Sequence, residues 1–418
     1  MDGWLRRAGV PALTAVVALT ALGPDGAAAP HAATTALAPS PPVVAAGSAA
    51  PAECRTPTTL VLESPKQAFE LPGGATVRIW QNRLTKKRTK RFVAVTIPAG
   101  TLVPRALAAR NLTRPAKPEN QVAPHPNAAV AINGAVYDTK TGVPRRALVV
   151  DGEIRKASSE ESQGLALYSD TRSAAWVLQQ LAGEVRTSHG SLPLGAINWQ
   201  ELSMAGVSAY TRAWGPRAHP AGRRTVVVTD GLVTAILGGQ KRPRTRPGPG
   251  ELHLTAPDGT IHAEALKQLV PGDLVSLATD LTGDRPFETG RPPVGEPDGL
   301  IGVSSALVRR GVNYAGCGGR DNKLRPRSAL AWTANGDLIV AAVSGRGKKG
   351  KGTAGASASQ WAEYLLHLGA VSAVNLDGGG STALFVRRSV GGPLVRLDRT
   401  WGGQRKVADS LAFEVPTP

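Results

Sequence analysis

A set of turn dipeptides set between short apolar runs restricts the fold more than any other feature. Asp151-Gly152, Asp230-Gly231, Asp258-Gly259 and Asn335-Gly336 mostly have apolar residues nearby on both sides. Asp-Gly and Asn-Gly accept the positive φ values of the turns whose twist matches paired strands, so they favour β-hairpins. The intervening runs have strand length and β-branched character, as in Thr59–Leu62, Thr76–Trp80 and Phe92–Ile97. A chain punctuated in this way is expected to form several hairpins.

One helix stands out. Ser357 and Gln360 have capping-box spacing, and Trp361, Tyr364, Leu365 and Leu368 fall on one face. Gly369 is placed to end the helix in a left-handed turn. Apolar runs of strand length flank it at Leu338–Val343 and Val371–Leu376, so the order resembles a βαβ unit. The fold class expected is mixed α/β (α+β). It is a β-rich composite domain over residues 59–418, with a C-terminal strand–helix–strand unit carrying an Asn-Leu-Asp-Gly-Gly-Gly-Ser turn. Residues 186–297, rich in Pro, Gly and Arg, read as a hairpin-rich elaboration of that domain.

The N-terminus bears on compartment. Arg6 and Arg7 precede an uncharged apolar stretch from Ala8 to Gly23, and small residues follow at Gly26–Ala29. That is the layout of a secretory signal peptide, assigned to residues 1–32 with cleavage expected between Gly26 and Ala33. The stretch is short for a membrane span, which needs about 20 residues. Residues 33–58, dominated by Ala, Pro, Ser and Thr, read as a disordered tether. The chain is therefore expected to be secreted, extracellular or wall-associated, with no membrane attachment after cleavage. Two cysteines, Cys54 and Cys317, permit a disulfide in such a compartment.

The formal net charge is +18 and much of it is clustered, at Lys86–Arg91, Lys241–Arg246 and Arg346–Lys351. Such a chain is drawn to polyanions. Outside a cell these are anionic wall polymers or acidic glycans. The runs lack the interleaved aromatics that single-stranded nucleic acid favours, so no nucleic-acid partner is expected. The same runs read equally well as solvated loops.

The segment richest in chemistry is Asn375–Thr382, where a strand ends in Asp377 and three glycines follow. Strand C-terminal ends are where α/β sheets place ligands, and Gly378, Gly379 and Gly380 let backbone N–H groups approach an anion. Ser381 adds a hydroxyl. The lysine and spacing of a P-loop are absent. An apolar run, Ala128–Ile132, leads into Asn133-Gly134, with Tyr137 and Asp138 just beyond. Arg327 begins another run, and Arg405 precedes Asp409 near the end. A guanidinium fork suits phosphate.

In this order the segments resemble the phosphodiester glycosidase family. Ala131–Gly134 matches its Ala-(Ile/Val)-Asn-Gly segment. Arg327–Ala331 loosely matches Arg-Thr-Ala-Ile-Gly, and Leu338–Gly345 matches in part a strand ending near Asp-Gly. The hallmark Asn-Leu-Asp-Gly-Gly-Gly-Ser is matched in full at Asn375–Ser381, and a final Arg-Pro-Val-x-Asn-x-Leu in part at Arg405–Leu411. The departures are Ser344 where the family usually has Asp, Ala135-Val136-Tyr137 where it often has Gly-Phe-Phe, and Asp409 where it has Asn.

The resemblance implies hydrolysis of a glycosyl-1-phosphodiester to a sugar and a phosphomonoester, on cell-wall or extracellular glycan material. Cleavage at the anomeric carbon develops positive charge there and expels a good leaving group. The site then needs a carboxylate and cations on the phosphate. Asp377 is the first choice for the carboxylate, with Asp138 and Asp409 in reserve. Arg327, then Arg405, are assigned to phosphate, Asn133 and Asn375 to sugar hydroxyls or water, and Gly134 to the substrate-binding set beside them. No cofactor is expected. No metal-ligand spacing is clear, and a hard cation such as calcium, held by Asp377 and backbone oxygens, stays open. The competing reading is a non-catalytic protein that binds wall polyanions or glycans on the same fold.

Overall fold

Three apolar runs are buried along nearly their whole length: Ala128–Asn133, Arg327–Thr333 and Leu338–Val343. Strands covered on both faces read as continuous rather than alternating apolar sequence, and these form the interiors of two sheets. The computed structural model describes residues 64–85, 88–238, 246–286, 296–316, 321, 323–344, 352–353, 355–398 and 404–417. The export signal, the tether, the Thr59–Leu62 run, Cys54, Cys317, Lys86, Lys87, residues 241–245 and residues 346–351 lie outside them.

The described residues are β-rich and form several sheets. A nine-stranded sheet has the order Gln67–Glu70, Thr76–Thr85, Arg88–Ile97, Leu338–Val343, Arg327–Thr333, Ala370–Asn375, Ser305–Arg309 and Val312–Asn313. Gly352–Thr353 also pairs with Arg88–Ile97. The helix Ala358–His367 carries the full capping box between Ser357 and Gln360. Its buried Trp361, Ala362 and Leu365 share one apolar cluster with Ala329, Ala331 and Ala373 of the sheet. Phe92 stacks on Tyr364 at 4.8 Å and meets Trp361 edge-on at 5.4 Å.

The strand–helix–strand order is present, but its two strands are not neighbours. Arg327–Thr333 lies between Leu338–Val343 and Ala370–Asn375 and runs antiparallel to both. The two flanking strands are therefore parallel across it, a split unit rather than a simple βαβ.

A five-stranded sheet, Val395–Arg396, Leu384–Val386, Ala128–Asn133, Asp409–Glu414 and Val103–Ala108, packs against the nine-stranded one through a shared core that includes Val130, Ile132, Leu330, Val374 and Leu411. The third sheet has eleven strands spanning Leu148 to Gly302. The hairpin-rich region is thus larger than residues 186–297 and begins before them.

Two of the four turn dipeptides sit in this sheet as tight hairpins, with φ of 50° and 75° at Asp151 and Gly152, and 50° and 82° at Asp230 and Gly231. Asn335-Gly336 joins the paired strands ending at Thr333 and starting at Leu338. Asp258-Gly259 makes no hairpin. It leads from strand Glu251–Thr255 into the short helix Ile261–Lys267, where the Thr260 hydroxyl accepts from the Ala263 N–H. The expectation failed there because Asp-Gly also suits the lead-in to a helix cap.

Two members of the first basic run do not face solvent. Lys90 and Arg91 are buried in strand Arg88–Ile97. Lys90 lies over the Tyr364 ring, and Arg91 Nε donates to the Leu397 carbonyl at 3.0 Å. They are packing residues, so the reading of this run as a polyanion-attracting loop does not hold for them.

Candidate active site

The Asn375–Ser381 segment crosses from one sheet to the other. Leu376 N–H donates to Ser328 O at 2.9 Å, Asp377 N–H to Gly134 O at 2.9 Å, and Gly379 N–H to Pro326 O at 2.9 Å. Asn133 fastens the crossing. Its Nδ2 donates to Asp377 O at 2.7 Å, while its Oδ1 accepts from Ser328 Oγ at 2.7 Å and from Ala383 N–H at 3.1 Å. The side chain is fully buried and its amide is used up by the protein. Assigned in sequence to substrate or water, Asn133 is placed instead as the clamp that fixes the Asp377 backbone. Asn375 is tied to Ser304, whose hydroxyl donates to the Asn375 carbonyl at 2.8 Å; its own Oδ1 is buried without a partner.

The three candidate carboxylates separate by environment. Asp138 closes its own turn, accepting from Lys140 N–H at 2.7 Å and Thr141 N–H at 3.3 Å, and these bonds hold its pKa below the ordinary value. Its job is structural, which counts against the reserve role. Asp409 is fully buried beneath the Gly134 loop and accepts from Ala135 N–H at 2.6 Å. A Cβ on Gly134 would sit 1.9 Å from Asp409 Oδ1, so only glycine allows this approach. Burial pushes the Asp409 carboxyl up to about 7, opposed by the Ala135 bond and aided by the charge of Asp377. Asp409 touches no solvent and so acts on Asp377 through the field, not on a substrate.

Asp138 and Asp377 are both partly exposed, and of these two Asp377 is the one at a strand end beside Ser381 and Arg405. Burial raises its pKa, and the Ser381 hydroxyl, the Arg405 charge and the Gly378 N–H oppose that rise. Ser381 Oγ lies against Asp377 and Tyr137 without a well-aligned hydrogen bond to either. The exposed Arg405 also covers the glycine loop, its Nη2 3.1 Å from where a Gly380 Cβ would stand. Of the loop donors, Gly378 N–H serves Asp377, Gly379 N–H serves Pro326 O and Ser381 N–H serves Gly378 O. These three N–H groups are therefore spent within the protein.

Arg327 does not join this group. Ser328 faces the junction, and side chains alternate along a strand, so Arg327 faces the helix layer with Ala329 and Ala331. Its Nε donates to Ala356 O at 2.8 Å and its Nη2 to Asp321 O at 3.1 Å and Lys323 O at 3.3 Å. The guanidinium holds a loop and does not face Asp377.

The sequence reading noted Tyr137 without assigning it. Tyr137 donates its hydroxyl to Lys406 O at 2.6 Å, and burial raises its pKa while Arg405 opposes. Its place two residues beyond Asn-Gly-Ala was the available signal. Ser344, the position of the missing carboxylate, is fully buried and donates its N–H to Arg91 O at 2.8 Å.

Among the described residues no three His, Cys, Asp or Glu side chains converge as a metal site. The donors at Asp377 do not fit calcium either. Its carbonyl is taken by Asn133, and the Arg405 cation already stands beside its carboxyl.

Residues 231–414 match the model of the phosphodiester glycosidase family, the family that the motifs resemble. That stretch holds Asp377, Ser381, Arg405 and Asp409, while Asn133 and Tyr137 lie before it. No curated protein matches. Among solved structures, a hypothetical protein from Synechocystis is similar at 24% identity and a TM-score of 0.61, over 82% of this chain and 62% of that one. This chain thus spans less than two thirds of that protein. A putative exported protein from Burkholderia pseudomallei K96243 is similar at 19% identity and a TM-score of 0.56, over 78% of this chain and 74% of the other. These two likenesses show the fold. The zebrafish N-acetylglucosamine-1-phosphodiester alpha-N-acetylglucosaminidase catalytic domain, auto-inhibited by pro-peptide, is similar at 13% identity and a TM-score of 0.43 over 83% of this chain and 87% of that one.

Proposed function

We propose that this chain is a secreted hydrolase that cleaves a glycosyl-1-phosphodiester on cell-wall or extracellular glycan material. The observation that carries the reading is the convergence of Asp377, Tyr137, Ser381 and Arg405 where two sheets meet, on the turn that is the family hallmark. Water adds to the anomeric carbon as the bond from that carbon to the phosphate oxygen breaks. The electron pair stays with the phosphate, which leaves as a phosphomonoester, and the proton lost by water ends in solvent. Asp377, when ionised, stabilises the cationic sugar or takes the proton of the attacking water. Arg405 neutralises the phosphate, the Gly378 N–H holds the carboxylate, and Tyr137 and Ser381 line its surroundings.

Asp377→Asn keeps the shape and removes the charge. Turnover of a panel of sugar-1-phosphodiesters, wall-polymer fragments included, should fall by roughly a hundredfold or more, with little change in KM. A folded variant with near-normal turnover would reject the assignment. Binding of such diesters by the unaltered protein with no turnover would favour the non-catalytic reading, which the buried Ser344 in place of a carboxylate supports.

A further inference from the structure

A cleft of about 400 Å³ separates the Gly134 loop from the eleven-stranded sheet. It lies beside the loop and strand end that support the site. Ala135 lines it and donates its N–H to Asp409, and Ser304 lines it and bonds to Asn375. The far wall is made by the hairpin sheet and its loops, with Trp199, Glu160 and Glu161, and by Arg145 and Arg146 at the edge.

Trp199 is held there at a cost that packing alone does not explain. Asn198 before it adopts φ of 49° and is fully buried. Its Nδ2 donates to Arg155 O at 2.8 Å and Thr211 Oγ1 at 2.9 Å, and its Oδ1 accepts from Thr211 N–H at 2.9 Å. The Trp199 carbonyl accepts from the Tyr210 hydroxyl at 2.9 Å. Lys156 Nζ stands 2.9 Å from the centre of the indole ring, and Lys156 is fully buried with no hydrogen-bond partner. Burial without a counter-ion pushes the pKa of this amine well down, and the ring face is the partner the structure sets against it. Left-handed backbone and an orphaned buried amine converge on one half-exposed indole at a cleft wall. Such strain points to function.

From this we infer that Trp199 is the platform on which the substrate's sugar lies, with the pyranose ring in the cleft and the phosphate toward Arg405. The inference rests on the phosphodiester glycosidase reading and names the half of the substrate that the cleft takes. A volume near 400 Å³ falls within the range of small-ligand pockets, about 300–1,000 Å³. A tryptophan offers a broad apolar face for the C–H face of a sugar, and the exposed carboxylates of Glu160 and Glu161 can accept ring hydroxyls. The lining carries Arg145 and Arg146 against Glu160 and Glu161, a balance that fits a neutral pyranose rather than an acidic one.

The test uses the whole secreted chain and methyl phosphodiesters of four pyranoses, gluco, galacto, manno and 2-acetamido-2-deoxy-gluco. Calorimetry measures binding, and hydrolysis gives kcat and KM. Trp199→Ala should weaken binding of the preferred diester, and raise its KM, by roughly tenfold or more, with kcat within about threefold; Trp199→Phe should recover most of the loss. In NMR the Trp199 indole N–H resonance, assigned by its absence in Trp199→Phe, should shift on saturation, which keeps the idea testable where Trp199→Ala does not fold. An unmoved indole resonance at saturation, unchanged binding by folded Trp199→Ala, or no binding of any diester each overturns the platform. Binding at Trp199 without hydrolysis keeps the platform and rejects the hydrolase. Hydrolysis with normal KM in Trp199→Ala does the reverse.

Discussion

On the eleven-stranded sheet, His253 sits buried beside His219 of the loop before strand Arg224–Thr229, with His253 Nδ1 and His219 Nε2 3.0 Å apart. At the junction of the other two sheets, Asp409 is buried just as deeply with one oxygen bonded and the other alone. The histidine network is closed at every ring nitrogen. His219 Nδ1 meets Pro220 O at 2.6 Å, and a carbonyl only accepts, so that nitrogen carries a proton. In the neutral ring Nε2 then accepts from His253 Nδ1–H, and His253 Nε2 faces Glu251 at 3.2 Å, where one proton completes the chain. Tyr210 stacks on His219 at 4.2 Å and shuts it from above. Asp409 has no such closure. A fold that wants stability closes its polar networks, whereas the carboxyl with the orphaned oxygen feels the charge of Asp377.

The largest effect that tests this contrast is Asn133→Ala. It strands Asp377 O, Ser328 Oγ and Ala383 N–H, three buried groups that each cost about 1–3 kcal/mol when unpaired. Denaturation should show a loss of about 3 kcal/mol or more, with turnover lost in step as the Asp377 backbone slackens. A loss below about 1 kcal/mol would show that the clamp is dispensable and that the junction is held by its apolar core.

Much of the site was legible. The Asn375–Ser381 turn, the capping box at Ser357 and Gln360, and the hairpins at Asp151-Gly152 and Asp230-Gly231 depend on local chemistry, and local chemistry is written in adjacent residues. What stayed hidden depends on direction and depth. Arg327 and Ser328 are neighbours in sequence, yet one faces the helix layer and the other the site, and no motif says which. Asn133 looks like a polar residue offered to a ligand until two segments far from it in the chain, at Ser328 and at Asp377 with Ala383, converge on its amide. Trp199 and Lys156 lie 43 positions apart in strand-rich sequence without a motif; they meet only because the sheet brings them together.

A smaller effect separates the two arginines. Arg405→Ala should raise KM for a phosphodiester about tenfold while leaving stability within about 0.5 kcal/mol, since the side chain is exposed. Arg327→Ala should do the opposite, costing about 2 kcal/mol by removing three charge-assisted bonds to the carbonyls of Ala356, Asp321 and Lys323, the first two of which keep a backbone N–H partner, with KM in the surviving folded protein little changed. Equal KM effects would place Arg327 at the phosphate after all.

The smallest effect per unit of pH is the most direct test of the two buried networks, because they predict slopes of opposite sign. The ordinary carboxyl value is 3.8 and Asp409 titrates at about 7 in the folded protein. Between these values the native state keeps a proton that the unfolded chain has released, so this stability falls as pH rises and stays at its lower level above 7. The ordinary histidine value is 6.5 and burial takes His219 down to about 4. Between these values the unfolded chain holds a proton that the native state refuses, so stability rises with pH until 6.5. Each slope approaches about 1.4 kcal/mol per pH unit inside its window, and the two oppose each other from pH 4 to 6.5. Asp409→Asn should therefore tilt the denaturation profile upward with pH relative to the unaltered protein, by about 1 kcal/mol per unit between pH 4.5 and 6. His219→Phe, which keeps a ring to stack on Tyr210, should tilt it downward by a similar amount. Denaturant midpoints taken at half-unit steps read both slopes, and groups that do not interact with Asp409 or His219 cancel in the differences, whereas Asp377 and His253 shift with their partners. If the three profiles run parallel, then neither carboxyl nor imidazole is held away from its ordinary value, and the contrast between the closed network and the open one has no energetic content.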